Sequence, residues 1–256
     1  MNLDRDRVKR EFATYTNNYD PSDPKIKLKI IHTYKVADIA EKIAVSENLS
    51  PEECDIAFLL GMLHDIGRFE QIRRFHTFKD SISVDHAALS ADILFKDGLI
   101  KKFVDEPYEA DLIEKAIRVH NVYALPKKLT VRELLFANIL RDADKLDILR
   151  VNIESPIPDI FDVSEEELKS QPITDEVYRE FLSHSNINRA IVKTRMDSYI
   201  TKIAFVFGLV FKASYKELLR EGYLMQLLEF KSNNPQTSEQ FEKIRNETID
   251  YVNLHL

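Results

Sequence analysis

Apolar residues recur at three- and four-residue steps along most of this 256-residue chain, and no convincing run alternates with the period of two of a half-buried strand. Helices satisfy that spacing, so the chain is expected to be all-α, a helical bundle with its apolar stripes turned inward. Turn chemistry agrees. There are only 5 glycines, too few for architectures built on many tight turns, such as sandwiches and propellers. Hydrophobic residues make up 44% of the chain, enough to fill a core and to set disorder aside.

The boundaries follow from caps and breakers. Val36, Ile39, Ala40, Ile43 and Ala44 mark an amphipathic helix, or two short ones, over Lys25–Glu47. Ser50-Pro51-Glu52-Glu53 is a start signal. The apolar residues Ile56, Ala57, Leu59, Leu60 and Leu63 then predict a buried helix that runs into His64-Asp65 and stops at Gly67. Phe69 to Ser83 reads as a loop, and Ser83–Lys96 as a third helix closed by Asp97-Gly98. A fourth starts after Pro107 and runs through Ala110, Ile113, Ile117 and His120. Thr130 and Glu133 form a capping box that opens a fifth, through Leu134, Leu135, Ile139, Ala143 and Leu146. Pro156, Pro158 and Pro172 predict a loop over Asn152–Thr174, with one helical turn at Ser164–Leu168, serving as a lid or a crossover. Helices follow near Asp175–Leu182, Met196–Tyr215 and Glu239–Asn253. The whole reads as a single helical domain over 1–256: a core at 25–150, a loop or lid at 151–174, and C-terminal helices at 175–256 that complete the bundle.

A net charge of −7 argues against a nucleic-acid polymer as partner, since coating one needs a basic face. The one cysteine, Cys54, allows no internal disulfide; it reads as a core residue, and a reducing cytoplasm fits. The charged N-terminal stretch Met1–Arg7 is unlike a signal peptide. The longest uncharged apolar run, Ile203 to Phe211, falls far short of the roughly 20 residues a spanning helix needs, so no membrane partner is expected. Phe205, Phe207 and Phe211 read as core. No Ser-His-Asp or Cys-His set and no glycine-rich phosphate loop is found.

Chemistry is concentrated in His32, His64, Asp65, His86, His120 and Asp144. Each lies on a separate predicted helix or at its end, and each has apolar neighbours that turn it inward. Imidazoles and carboxylates converging between helices make up a transition-metal site, suited to Fe, Mn, Zn, Ni or Co; an all-oxygen magnesium site would not use so many histidines.

His32, then His64-Asp65 inside Leu59-Leu60-Gly61-Met62-Leu63-His64-Asp65-Ile66-Gly67-Arg68, then Asp144 inside Asp142-Ala143-Asp144-Lys145-Leu146-Asp147, resembles the HD superfamily of metal-dependent phosphohydrolases over about Ile30 to Arg150. The resemblance implies that His32, His64, Asp65 and Asp144 hold one divalent metal ion. His86 and His120 would hold a second, with Asp65 bridging the pair. A Gly-Tyr-Pro signature of the cyclic-di-GMP phosphodiesterase branch is missing. The resemblance further implies hydrolysis of a phosphomonoester or phosphodiester in a small phosphorylated metabolite or nucleotide, with Asp65 and Arg68 catalytic and Arg68 and Lys145 on the substrate phosphate. The same ligand order also fits an HD-type mixed-valence diiron oxygenase, and a non-catalytic metal-stabilised sensor or scaffold is the third reading.

Several roles stay open in the sequence. Arg68 could instead form a salt bridge to Glu70 or Asp144, and Lys145 could be a solvated helix lysine. Asp142 and Asp147 could orient histidines or pair locally. Arg73 and Arg74 could draw an anion to the entrance or lie on a solvated loop. His76 reads as solvent-facing, and His184 and His255 as incidental. A homodimer through the C-terminal helices is left open.

Overall fold

The computed structural model describes residues 3–105 and 109–256, and every regular element among them is helical. The expected start of the fourth helix after Pro107 lies outside the described residues. Among the described residues, no helix is long and apolar enough to cross a membrane. The chain separates into two compact units, Met1–Asp144 and Lys145–Leu256.

The first unit begins with α1 (Arg5–Thr16) and the long α2 (Pro24–Ser46), which is one continuous helix. Next comes α3 (Pro51–Leu63), whose capping box joins Ser50 to Glu53. It is buried along its whole length from Ile56 to Leu63 and packs on α2. The two backbones approach so closely that a Cβ on Gly61 would stand 2.4 Å from Ala37 Cα. Phe12 of α1 meets Phe69 edge-on with ring centres 5.8 Å apart, which ties α1 to α4 (Ile66–Phe75).

Gly67 does not end a helix as expected. It lies inside α4, where a Cβ would stand 2.7 Å from Ser90 N and 2.9 Å from His86 O. Its missing side chain serves helix contact rather than termination. The helix break falls two residues earlier, at His64-Asp65. As a result, 69–75 is helical instead of loop, and α4 ends at His76 with a left-handed φ of 55°. Residues 83–96 also differ from one regular helix. α5 (His86–Ala91) starts at the Asp85 cap and passes into a wider turn over Asp92–Lys96. α6 (Ile100–Phe103) and α7 (Ala110–Arg118) follow. The capping box at Thr130 and Glu133 opens α8 (Val131–Glu154), and the division between the units falls inside this helix.

The second unit corrects the expected loop at Asn152–Thr174. α8 runs on to Glu154, and α9 (Ile157–Phe161) and α10 (Glu165–Ser170) fill most of the rest. Pro156 precedes α9 and Pro158 lies in its first turn, where a proline starts a helix instead of breaking it. Then come α11 (Asp175–Leu182) and α12 (Arg195–Ile203). The single helix expected over Met196–Tyr215 is broken: a tight turn spans Ala204–Gly208, Leu209 is extended, and α13 (Lys212–Glu221) starts afresh. α14 (Tyr223–Leu228) and α15 (Pro235–Leu254) complete the unit. Its core includes Phe181, Phe207, Tyr215 and Phe241.

Candidate metal centre

The site belongs to the first unit and starts from the break between α3 and α4. His64 caps the end of α3, and Asp65 precedes α4 without using its side chain as a cap. The Asp65 carboxylate is therefore turned into the bundle instead of back onto its own helix. α2 brings His32, the first turn of α5 brings His86, the segment just after α7 brings His120, and α8 brings Asp144. The structure draws all six predicted ligands into one cluster, in which His32, His64, Asp65, His86 and His120 are buried and Asp144 is half-buried.

Asp65 divides that cluster. Its Oδ2 lies 3.5 Å from His32 Nε2 and 3.4 Å from His64 Nε2, and Asp144 Oδ1 is 3.1 Å from His32 Nε2. Its Oδ1 lies 3.6 Å from His86 Nε2 and 3.7 Å from His120 Nε2. One oxygen faces one half of the cluster and the second faces the other, the disposition a bridging carboxylate needs.

The imidazoles are held in the tautomer that suits a metal. A carbonyl can only accept, so His64 Nδ1 donates to Gly61 O at 2.8 Å and His120 Nδ1 donates to Ile117 O at 2.7 Å. His86 Nδ1 donates to the Asp80 carboxylate at 2.5 Å. Each Nε2 is left as a lone pair aimed inward. The Nε2 atoms of His86 and His120 stand 3.0 Å apart. His64 Nε2 and Asp65 Oδ1 are buried without a hydrogen-bond partner. Converging imidazole nitrogens and two orphaned buried acceptors make a donor set that could hold a cation, so the residues present fit one or two divalent transition-metal ions.

Electrostatics favours the metal-binding forms of Asp65, Asp144, His86 and His120. Burial pushes the Asp65 carboxyl up, but the Lys29 ammonium and His64 hold it well below the usual carboxylate range. Asp144 is held low against burial by His32 and His64. Burial, with His86 and His64 alongside, lowers His120 to about 3, and burial with Arg68 lowers His86.

Arg68 bonds neither Glu70 nor Asp144. Its Nη1 donates to Gln71 Oε1, Phe78 O and Asp80 Oδ1 at 2.7, 2.7 and 2.9 Å. Its Nη2 donates to His86 Nε2 at 3.3 Å, and its Nε lies 3.7 Å from Asp65 Oδ1. One edge of the guanidinium is anchored and another faces the site. Lys145 belongs to the second unit, where its ammonium donates to Gly208 O at 2.6 Å. Asp147 forms a two-point pair with Arg150, and Asp142 is buried. Arg73 and Arg74 lie on α4, not on a loop, and both pair with Glu70. His76 is exposed. His184 pairs with Glu247 and His255 bonds Tyr251 O, both in the second unit.

Two participants escaped the sequence reading. Lys29 donates to Asp65 Oδ2 at 2.5 Å; its position one turn before His32 on α2 was a usable signal. Asp80 gave no signal, because it lies in an isolated turn that only the fold brings to His86. It also accepts from Gln71 Nε2 at 3.0 Å and from Asn121 Nδ2 at 3.4 Å, so it locks the ring of His86. Asp80→Ala is expected to weaken uptake of the second of two metal ions by about 10–100-fold, with the first little changed. A metal titration followed by native mass spectrometry reads both steps.

A buried cage of imidazole and carboxylate inside a helical unit defines a candidate metal-binding domain. Residues 30–149 match the family model of the HD domain. HD domains bind divalent metals and define a superfamily of metal-dependent phosphohydrolases. No curated protein and no solved structure gives a significant match to the chain.

Proposed function

We propose that this protein is a metal-dependent phosphohydrolase acting on a small phosphorylated metabolite, such as a nucleotide. The observation that carries the reading is the pair of orphaned acceptors, His64 Nε2 and Asp65 Oδ1, inside a cage flanked by the cations of Lys29 and Arg68. Bound in the cage, divalent ions would supply Lewis acidity and a water of lowered pKa.

The chain's own groups do the rest. His32, His64, Asp65 and Asp144 would hold one ion, and His86 and His120, with Asp65 between, a second. Asp80 and the Gly61 and Ile117 carbonyls fix the rings. Two carboxylates against four neutral imidazoles leave a loaded cage positively charged, and Lys29 and Arg68 add to that field. Such a site favours an anion over a neutral substrate. Arg68, anchored through Nη1, can direct Nε and Nη2 at a phosphoryl oxygen.

Protein purified without added metal and then loaded with Mn²⁺ is expected to carry two equivalents by elemental mass spectrometry. It should release phosphate from a model ester or a nucleotide without oxygen, and the His64→Ala, Asp65→Ala double variant should not. Uptake of no metal would overturn the reading. Turnover that needs both iron and oxygen would replace it with an oxygenase. About one equivalent would recast His86 and His120 as substrate contacts.

A further inference from the structure

Lys29 is placed where a metal ligand set has least use for it. Its ammonium lies on Asp65 Oδ2, the oxygen that also faces His32 and His64. An ammonium and a divalent ion on one carboxylate oxygen repel each other, the more strongly at low effective dielectric. Loading that half of the cage therefore weakens the hold of Asp65 on Lys29.

The surroundings say where it goes. Lys29 is 13% exposed, so its charge does not simply swing into open water. Its ammonium lies 5.5 Å from the centre of the Phe78 ring, and the Arg68 guanidinium lies 5.5 Å from the same centre. Lys29 bears on one oxygen of Asp65 and Arg68 approaches the other. Two cations thus flank one carboxylate and one aromatic ring, and Arg68 is anchored while Lys29 has a flexible stem and, among the described residues, Asp65 as its hydrogen-bonded partner. Released from Asp65 beside Phe78, a desolvated ammonium needs a new anion.

We propose that Lys29 is a movable counter-ion: it neutralises Asp65 in the metal-free site and turns to a phosphoryl oxygen of the substrate once metal is bound. Paired with Arg68 it makes a two-cation clamp suited to the dianion of a phosphomonoester over the single charge of a diester. The proposal rests on the phosphohydrolase reading and narrows its substrate class.

The test exploits two effects of opposite sign. Lys29→Met keeps the stem and removes the charge, and Lys29→Arg keeps the charge. Mn²⁺ affinity is followed by electron paramagnetic resonance of the free ion. Inorganic phosphate is then titrated calorimetrically into the Mn²⁺-loaded proteins. Lys29→Met is expected to bind Mn²⁺ about 3–10-fold more tightly, because a competing charge is gone, and phosphate about 10–100-fold more weakly, because a charged hydrogen bond is lost. Lys29→Arg should hold phosphate within a few-fold of wild type. Wild type should cleave p-nitrophenyl phosphate in preference to its bis-ester.

Unchanged affinities in Lys29→Met, or a loss of both together, would overturn the proposal and leave Lys29 a structural strut. Preference for the bis-ester would overturn the monoester assignment. Should Lys29→Met fail to fold by circular dichroism, Lys29→Gln takes its place in the same measurements. A wild-type protein that takes up no Mn²⁺ would instead sink the phosphohydrolase reading, and this proposal with it.

Discussion

Asp65→Asn is expected to lose metal from both halves of the cage and to lower phosphate release by about a thousandfold or more. The substitution keeps the shape and removes the charge. It strikes harder than loss of any one histidine because each Asp65 oxygen faces a different half of the cluster. It also leaves the Lys29 ammonium, at 2.5 Å and largely buried, beside an amide instead of a carboxylate. An uncompensated buried cation repels incoming metal and costs stability as well. Elemental analysis, activity and thermal unfolding on the same preparation separate these effects. Full metal content with full activity would remove Asp65 from the centre.

Gly61→Ala is expected to destabilise the first unit by about 3 kcal/mol, toward the upper end of the usual cost of overpacking a core. The added methyl would meet Ala37 Cα at 2.4 Å, Ala37 N at 2.6 Å and Val36 C at 3.0 Å. All three are backbone atoms of α2, so no side chain can rotate away, and one helix must slide on the other. For a chain of this size that corresponds to a fall in melting temperature of about 6–12 °C. The damage should reach the metal too, since α2 carries His32 while the Gly61 carbonyl fixes His64. Urea unfolding and a Mn²⁺ titration check both. A wild-type transition would mean that α2 and α3 separate at no cost.

The convergence of the candidate site was largely legible in the sequence because the predicted ligands are tied to strong local signals. Ser50 and Thr130 start helices by cap chemistry that can be read residue by residue, and apolar spacing turns the ligands of α2 and α8 inward. The His64-Asp65 pair stood out, but the break it sits on did not. Gly67 is a good stop signal locally, and only the closeness of α5 explains why it lies within a helix. Pro156 and Pro158 misled in the same way, because a proline marks an end or a beginning and spacing alone does not say which. Asp80 was invisible for a different reason. Its value to His86 comes from tertiary placement of an irregular segment, which has no periodicity to read.

The hydrogen bonds behind the imidazoles have a consequence for how metal is acquired. His64, His86 and His120 hold their Nδ1–H groups on Gly61 O, the Asp80 carboxylate and Ile117 O, which leaves Nε2 turned to the cage, and Asp65 and Asp144 are held in their ionised forms. A thiolate site must shed protons to take up an ion, so its affinity rises steeply with pH. Here the two carboxylates are already ionised and burial lowers His86 and His120, so these four groups release little proton when an ion arrives. The proton cost of loading those four groups is correspondingly smaller than at a thiolate site.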